Sequence, residues 1–569
     1  MKIGAGREEI RMDGATGVVM MGWGDPRHRV SGVKWPLQSR AVALVDDASA
    51  KRLILVCLDA CAITEALRRE VARRLREKHG IADDEFILSA THTHSAPGGY
   101  STYVFYELTG DGFHPGILDA YATGVAASVD RAMAALRPGQ ARFASGRFPL
   151  DVPVAFNRSI RAYNRNPEVE KVARGERHRA VDREMTLLRF DGLDGRPIAA
   201  WNWFPVHATS IHRDRREIHP DHKGLAAGFL EAELSKRGAS DFVAVFAQGA
   251  AGDVSPNFRY HPGLREKRGL HRDDEESCRA NARFQSDHAL LLFDQAASAR
   301  PLRDALGGRL EFHDFSGMKV DPDFVDGRSG VTTGASEIGL PQLYGTAEGR
   351  GTSLPFLYFV WGMVWVSRLY RSIADRWQGR AARWPWSIHP AQGKKVTVIE
   401  SGRSRLLGTS RVDAAPLPDF LDPTVATMKR WARAGILIER PFTPQDLPIQ
   451  LVRLGDLAIA AVPGEFTTVA GRRLREVLEK ELAPQGISRV LIQGYANAYA
   501  SYVVTPEEYD VQGYEGGCTH FGRYTLPGYL TIFRRLARQW GEGRAASARR
   551  PEAPSPEFLR AITHPSYRG

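Results

Sequence analysis

Unbroken apolar runs recur along the chain, and each ends in small and polar residues. RLILVCLDAC covers 52–61 and FILSA covers 86–90. IAAWNWF covers 198–204, DFVAVFAQG 241–249, LAIAAV 457–462 and RVLIQ 489–493. Runs of this length without alternation predict strands covered on both faces. Between the first two, residues 63–79 repeat apolar positions at helical spacing, and TTVAGRRLREVLEKEL (467–482) does the same after LAIAAV. Strand, helix, strand is the grammar of a parallel pair, so the pattern predicts an α/β fold. Open sheets of that class carry their sites at the C-terminal ends of the strands.

The polar residues stand at those ends. ATHTHSAPGG follows the 86–90 run with His92 and His94, and Pro-Val-His207 follows the tryptophan-rich run. GAAGDVSPN follows 241–249, PGEFTT follows 457–462 with Glu465, and GYANAYASYV follows 489–493. In a strand, residues i and i+2 share a face, so His92 and His94 are expected to look into one pocket. Neutral imidazole is a common zinc ligand, and two histidines with one carboxylate form a hydrolytic set with an open position. Buried histidines bonded to carbonyls and an acid at a helix start account for the same residues. Spacing alone leaves both readings open.

Composition changes little. The 569 residues hold 77 Lys and Arg against 66 Asp and Glu, a formal charge of +11 spread along the chain. No nucleic-acid motif accompanies it, and a basic surface facing anionic lipid accounts for the charge at least as well as nucleic acid does. Cys57, Cys61, Cys278 and Cys518 form no CxxC pair, and Cys57 and Cys61 are expected as packed thiols. MKIGAGREEI has no apolar signal core, so the expected location is cytoplasmic or peripheral to a membrane.

At THTHSAPGG, NRS, GDVSPN, PGEFTT and YANAYASYVVTPEEYDVQGYEGG, the sequence resembles the neutral (alkaline, non-lysosomal) ceramidases, from about residue 1 to about residue 535. The match is loose over about 260–390, with GTAEGRG as an island. The resemblance implies a large mixed-sheet zinc-hydrolase domain with ligands on loops following strands. It implies Zn²⁺ held by His92, His207, Glu465 and Tyr502. His94 becomes an acid/base or hydrogen-bonding group beside the metal, Tyr514 a donor to the developing oxyanion, and Arg158 an active-site arginine. Ser255 becomes a group that binds the polar head of the substrate, with nucleophilic attack as the lesser alternative because no G-x-S-x-G elbow surrounds it. The implied reaction is hydrolysis of the amide of ceramide or a ceramide-like N-acyl lipid by metal-activated water. Two alternatives stand beside it. One is a metal-dependent ester or phosphoester hydrolase using two metals near Asp59 and Asp253. The other is a non-catalytic lipid-binding relative.

Three departures qualify the resemblance. Only 55 residues follow Tyr514, too few for the β-sandwich of about 100 residues that follows this segment in secreted members. The expected organisation is therefore a catalytic domain over 1–540, with an insertion at about 340–390, and a Pro- and Arg-rich tail over 541–569 that is mobile or wraps the domain. LPFLYFVWGMVWV (Leu354–Val366) carries no charge but is too short to span a bilayer, which takes about 20 residues. Arg368, Arg371, Arg376, Arg380 and Arg383 follow it, interleaved with Trp377, Trp384 and Trp386. That composition suits an interfacial helix meeting lipid, or equally a helix packed in the core or an oligomer interface. Finally, HPDHKG adds His219 and His222, which with His212 are expected to decorate a loop. Acyl length, headgroup and oligomeric state are not encoded legibly.

Overall fold

The computed structural model describes residues 1–110, 112–349, 351–352, 354–377, 390–407, 412–414, 423–438, 440–540 and 550–567. Eight strands form the larger sheet: β1 (Lys2–Ile10), β2 (Leu37–Asp46), β3 (Lys51–Leu58), β4 (Phe86–Ala90), β5 (Arg137–Arg147), β6 (Glu184–Gly192), β7 (Pro197–Trp203) and β8 (Val243–Ala247). Their order is β8-β7-β6-β5-β1-β2-β3-β4. The smaller sheet holds β9 (Leu306–Asp314), β10 (Asp446–Leu454), β11 (Leu457–Ala461) and β12 (Arg489–Gln493), in that order. The main helices are α1 (Glu65–His79), α2 (Pro115–Ala134), α3 (Asp221–Lys236), α4 (Asp274–Ala296), α5 (Leu354–Trp377), α6 (Thr468–Leu482) and α7 (Thr525–Arg538).

The interior of the larger sheet is antiparallel, and parallel pairing is confined to its edges. β4 runs parallel to β3, with Ile54 opposite Phe86 and Leu58 opposite Ala90. β8 runs parallel to β7, with Ala199 opposite Val243. At the edge of the smaller sheet β12 runs parallel to β11. A parallel pair needs a long crossover, and α1, α3 and α6 supply the three. The strand-helix-strand units read from the sequence are these edge pairs, set around antiparallel centres.

Period-two alternation explains the layering. Leu53, Leu55 and Cys57 of β3 face Val452, Leu454, Leu457 and Ile459 of the smaller sheet in one core. Ile54, Val56 and Leu58 face the other way, against Leu67 and Val71 of α1 and Tyr121 and Val125 of α2. On the smaller sheet, Leu447, Ile449 and Leu451 face Leu474 and Leu478 of α6 and Phe533 and Leu536 of α7. The result is two stacked sheets between helical layers. Both faces of β3, β4, β7, β8, β11 and β12 are covered, which is why their runs are apolar without alternation.

All four cysteines are free and buried, as packed thiols. Among the described residues, no helix is long and apolar enough to cross a membrane. α5 continues the apolar block to Trp377; Arg380, Arg383, Trp384 and Trp386 lie outside the described residues. Part of the expected tail is described. Helix Pro556–Ile562 buries Phe558 and Ile562 against Leu108 and Phe113, and the His564 ring stacks on His114. Residues 541–549 lie outside the described residues.

Candidate metal centre

Each edge pair delivers a polar group at its C-terminal end. After β4, Thr91 N donates to Leu58 O and His92 N to Ala60 O, so the chain keeps following β3 past the end of the strand. His92 then adopts a left-handed φ of 67°. Such a backbone is costly for a non-glycine residue and persists only where its surroundings impose it. The two histidines therefore do not share a strand face, as simple alternation predicts. They converge because the chain turns at His92, and their Nε2 atoms lie 3.1 Å apart. Gly22 makes room: a Cβ there would sit 2.4 Å from the His94 ring. The edge of Trp23 meets that ring at 5.0 Å, and Trp23 stacks on His212.

His207 follows β7, and Glu465 follows β11. Gly464 allows the approach, because a Cβ at that position would lie 2.6 Å from Ser501 O. Glu465–Phe466 pairs in parallel with Tyr502–Val503, which sets Glu465 beside Tyr502. The segment after β12 also returns to β4, where Asn497 N donates to Leu88 O at 2.8 Å.

The ligand-type atoms of His92, His207 and Glu465 all lie within 4.8 Å of one another, and all three residues are buried. Glu465 Oε2 is 3.0 Å from His207 Nε2, and Glu465 Oε1 is 3.6 Å from His92 Nε2. The far side of each ring fixes its tautomer. His92 Nδ1–H donates to Cys61 O at 2.6 Å, and His207 Nδ1–H to Ala251 O at 2.7 Å. Both Nε2 atoms thus present lone pairs toward a carboxylate. Burial, opposed by Glu465, lowers His92 to about 4, so the ring is neutral at physiological pH. Burial alone would raise the Glu465 carboxyl, but His92, His207 and the Tyr499 hydroxyl hold it well below its ordinary range. Tyr495 donates to Oε2 at 3.2 Å, and Tyr499 donates to Oε1. Electron-rich atoms facing each other across a buried gap, with His207 Nε2 lacking a hydrogen-bond partner, fit a bound cation.

The other anticipated residues are arranged around this core. Arg158 Nη2 donates to Tyr502 OH at 2.9 Å and to Gly252 O at 2.9 Å. Its remaining nitrogens reach Glu515 at 2.9 Å and Glu348 at 3.3 Å. The Tyr514 ring meets Tyr502 edge-on at 5.5 Å, and the Arg158 guanidinium lies 5.7 Å from both rings. Ser255 is fully buried and its Oγ accepts from Asn257 N at 2.8 Å. Burial, reinforced by His92 and His207, pushes His94 well below its ordinary range.

Two expectations need correction. Asp59 and Asp253 do not build a metal pair. Asp59 accepts from Gln38 N at 3.0 Å and faces Arg40. Asp253 accepts from Thr468 N and Oγ1, both at 2.8 Å, anchoring the start of α6, and from Asn157 at 2.6 Å. Nor do the extra histidines decorate a loop. His212, His219 and His222 are buried. His222 lies in the first turn of α3 and donates from Nε2 to His207 O at 2.8 Å, while Gln285 donates to its Nδ1. His219 O accepts from Thr93 Oγ1 at 2.7 Å, between the two motif histidines. Sequence reasoning passed over Glu348, Glu515, Tyr495 and Tyr499. GTAEGRG pointed at the first, and the tyrosine spacing in GYANAYASYV at the last two, but neither segment has a period that separates a polar duty from packing.

The chain as a whole is similar to a known group of proteins. The description "Neutral/alkaline non-lysosomal ceramidase, N-terminal" matches residues 1–403 and 432–531. The chain is 31% identical to the neutral ceramidase of Pseudomonas aeruginosa, covering 94% of this chain and 71% of that one. It is 30% identical to the neutral ceramidase of Mycobacterium tuberculosis, covering 98% and 80%. A solved ceramidase complexed with C2 superposes with a TM-score of 0.78 at 30% identity, covering 97% of this chain and 77% of that one. By that match, its share of the chain and these likenesses, the chain belongs to the neutral/alkaline non-lysosomal ceramidase family.

Proposed function

We propose that this protein is a zinc-dependent amidase that hydrolyses ceramide, or a closely related N-acyl lipid, to a fatty acid and an amine. The observation that carries the reading is the convergence of His92 Nε2, His207 Nε2 and the Glu465 carboxylate, with their ring tautomers set from behind. His92, His207, Glu465 and Tyr502 would hold the ion. Zinc in such a set acidifies water toward neutral pH and polarises a carbonyl.

The chain's own residues supply the rest. Burial and Glu465 push the Tyr502 phenol well above its ordinary range while Arg158 pulls it down, so the tyrosine gives up its proton only with a cation beside it. Arg158 fixes the direction of that hydroxyl through a hydrogen bond and is itself fixed by Glu515 and Glu348. Tyr514 stands edge-on to Tyr502 and, with its proton held by burial, donates to the amide oxygen as negative charge builds there. His94 is a neutral imidazole, one ring nitrogen protonated and the other free, and stands close enough to the centre to take the proton of the attacking water and pass it to the leaving nitrogen. Ser255, engaged by its own backbone, orients the polar end of the substrate and does not attack it.

The test is release of fatty acid from N-acylsphingosine by the purified protein, measured by mass spectrometry. Activity is expected to vanish in chelator and return with zinc. Undiminished release after complete metal removal would refute the reading.

A further inference from the structure

α5 is built inside out. Its buried positions are Leu357, Val360, Val364 and Arg368, a narrow stripe at spacings of three and four that packs on Ile338, Ile399 and Leu406. Many of its other described positions are apolar and exposed. Leu354, Tyr358, Phe359, Trp361, Val366, Leu369, Tyr370, Ile373 and Trp377 are all exposed, Tyr358 to 72% and Trp377 to 88%. They are nine of the seventeen large exposed hydrophobic residues described, so the chain concentrates on one helix what is elsewhere scattered singly.

We propose that this outward face docks on an anionic lipid bilayer and seats the centre against the surface from which its substrate comes. The proposal rests on the reading of the protein as an N-acyl lipid hydrolase. Three observations select lipid over a protein partner. First, the exposed set includes Tyr358, Trp361, Tyr370 and Trp377, side chains with an apolar body and a polar edge that settle at headgroup depth. Secondly, the charge is complementary. The outward side of the helix carries the exposed Arg376 in its last turn, and the chain is basic at +11. Thirdly, the helix is tied to the centre. Glu348, which accepts from Arg158, precedes Leu354 by six residues. At about 3.5 Å per residue, the start of α5 lies within about 20 Å of the Glu348 backbone. No described helix can cross a membrane, so the contact is one of lying on the surface.

The test uses the full chain and vesicles of phosphatidylcholine and phosphatidylglycerol at about 7:3, with phosphatidylcholine alone as the control. Wild type should sediment with the mixed vesicles and much less with the control. Tyr358→Ser, Trp361→Ser, Leu369→Ser and Ile373→Ser combined should reduce sedimentation at least about tenfold, because each change removes apolar area already outside the core. Trp361→Phe with Leu369→Ile should keep it. Hydrolysis of a short-chain, water-soluble N-acyl amide should be unchanged in all variants, while turnover of vesicle-borne ceramide falls with sedimentation. Equal sedimentation by wild type and the serine variant would overturn the proposal. So would a wild-type dimer that the serine variant converts to a monomer, since the face would then belong to a second copy. Loss of the short-chain activity in wild type itself would count against the hydrolase reading and leave the vesicle result standing.

Discussion

Arg158 and Tyr502 are joined by a 2.9 Å hydrogen bond from guanidinium to phenol, although 344 residues separate them. The same guanidinium is clasped by Glu515 and Glu348, both buried. Arg158→Lys keeps a charge but loses the fork that meets four acceptors. Its kcat should fall at least about tenfold with a small change in melting temperature. Arg158→Ala also strands two buried carboxylates and should cost about 3–5 kcal/mol in denaturant unfolding. A lysine variant with wild-type kcat would separate Arg158 from the chemistry.

Glu465→Gln should remove more activity than Ser255→Ala. The amide keeps the size of the side chain but gives up the full negative charge between His92 and His207. Metal content by mass spectrometry should drop at least about tenfold in the glutamine variant and stay at the wild-type level in the alanine variant. An acyl group trapped on Ser255 would reverse the ranking.

His222→Leu should weaken metal affinity by about 10–100-fold without touching a ligand side chain. The histidine holds the main chain of His207 through Nε2–H and is itself held by Gln285. His222→Asn keeps a donor and should recover part of the loss. Competition with a calibrated chelator measures both.

Glu107 gives the fold a pH dependence separate from the centre. Burial pushes its carboxyl to about 8, against the pull of the Ser101 N–H. The folded state therefore keeps a proton that the unfolded chain releases near its ordinary value of 4.5. The stability linked to that proton is full below the lower value and is lost as pH rises through the upper one. Glu107→Gln should flatten the fall in melting temperature between about pH 5 and about pH 8, as read by circular dichroism.

Chelation should lower the melting temperature of wild type, because a ligand that binds only the folded state stabilises it by mass action, by about 4 kcal/mol at a thousandfold excess over Kd. In Glu465→Gln, the shift on chelation should be close to zero.

The strands were legible because their runs are apolar on both faces, and the crossover helices because α1 and α6 keep their period. The antiparallel centre of the larger sheet was not. Strands such as Arg137–Arg147 and Glu184–Gly192 carry polar residues that edge toward solvent, and nothing in their spacing names a partner strand. His92, His207 and Glu465 were found because each follows a strand; Tyr502 came from resemblance, since an aromatic after a strand is ordinarily packing. The duty of His222 was hidden because it acts on the backbone carbonyl of His207, and a carbonyl has no letter in a sequence.

The candidate ligands straddle the seam between the two sheets. His92 and His207 hang from the edges of the larger sheet, and Glu465 and Tyr502 follow strands of the smaller one. Neither half contains a complete set, so a metal loaded there would report that the layers have docked. Tyr502 is also late in the chain. During synthesis, the first two candidate ligands wait for nearly three hundred more residues before their partners exist, so any ion would be selected by the finished fold rather than the nascent one.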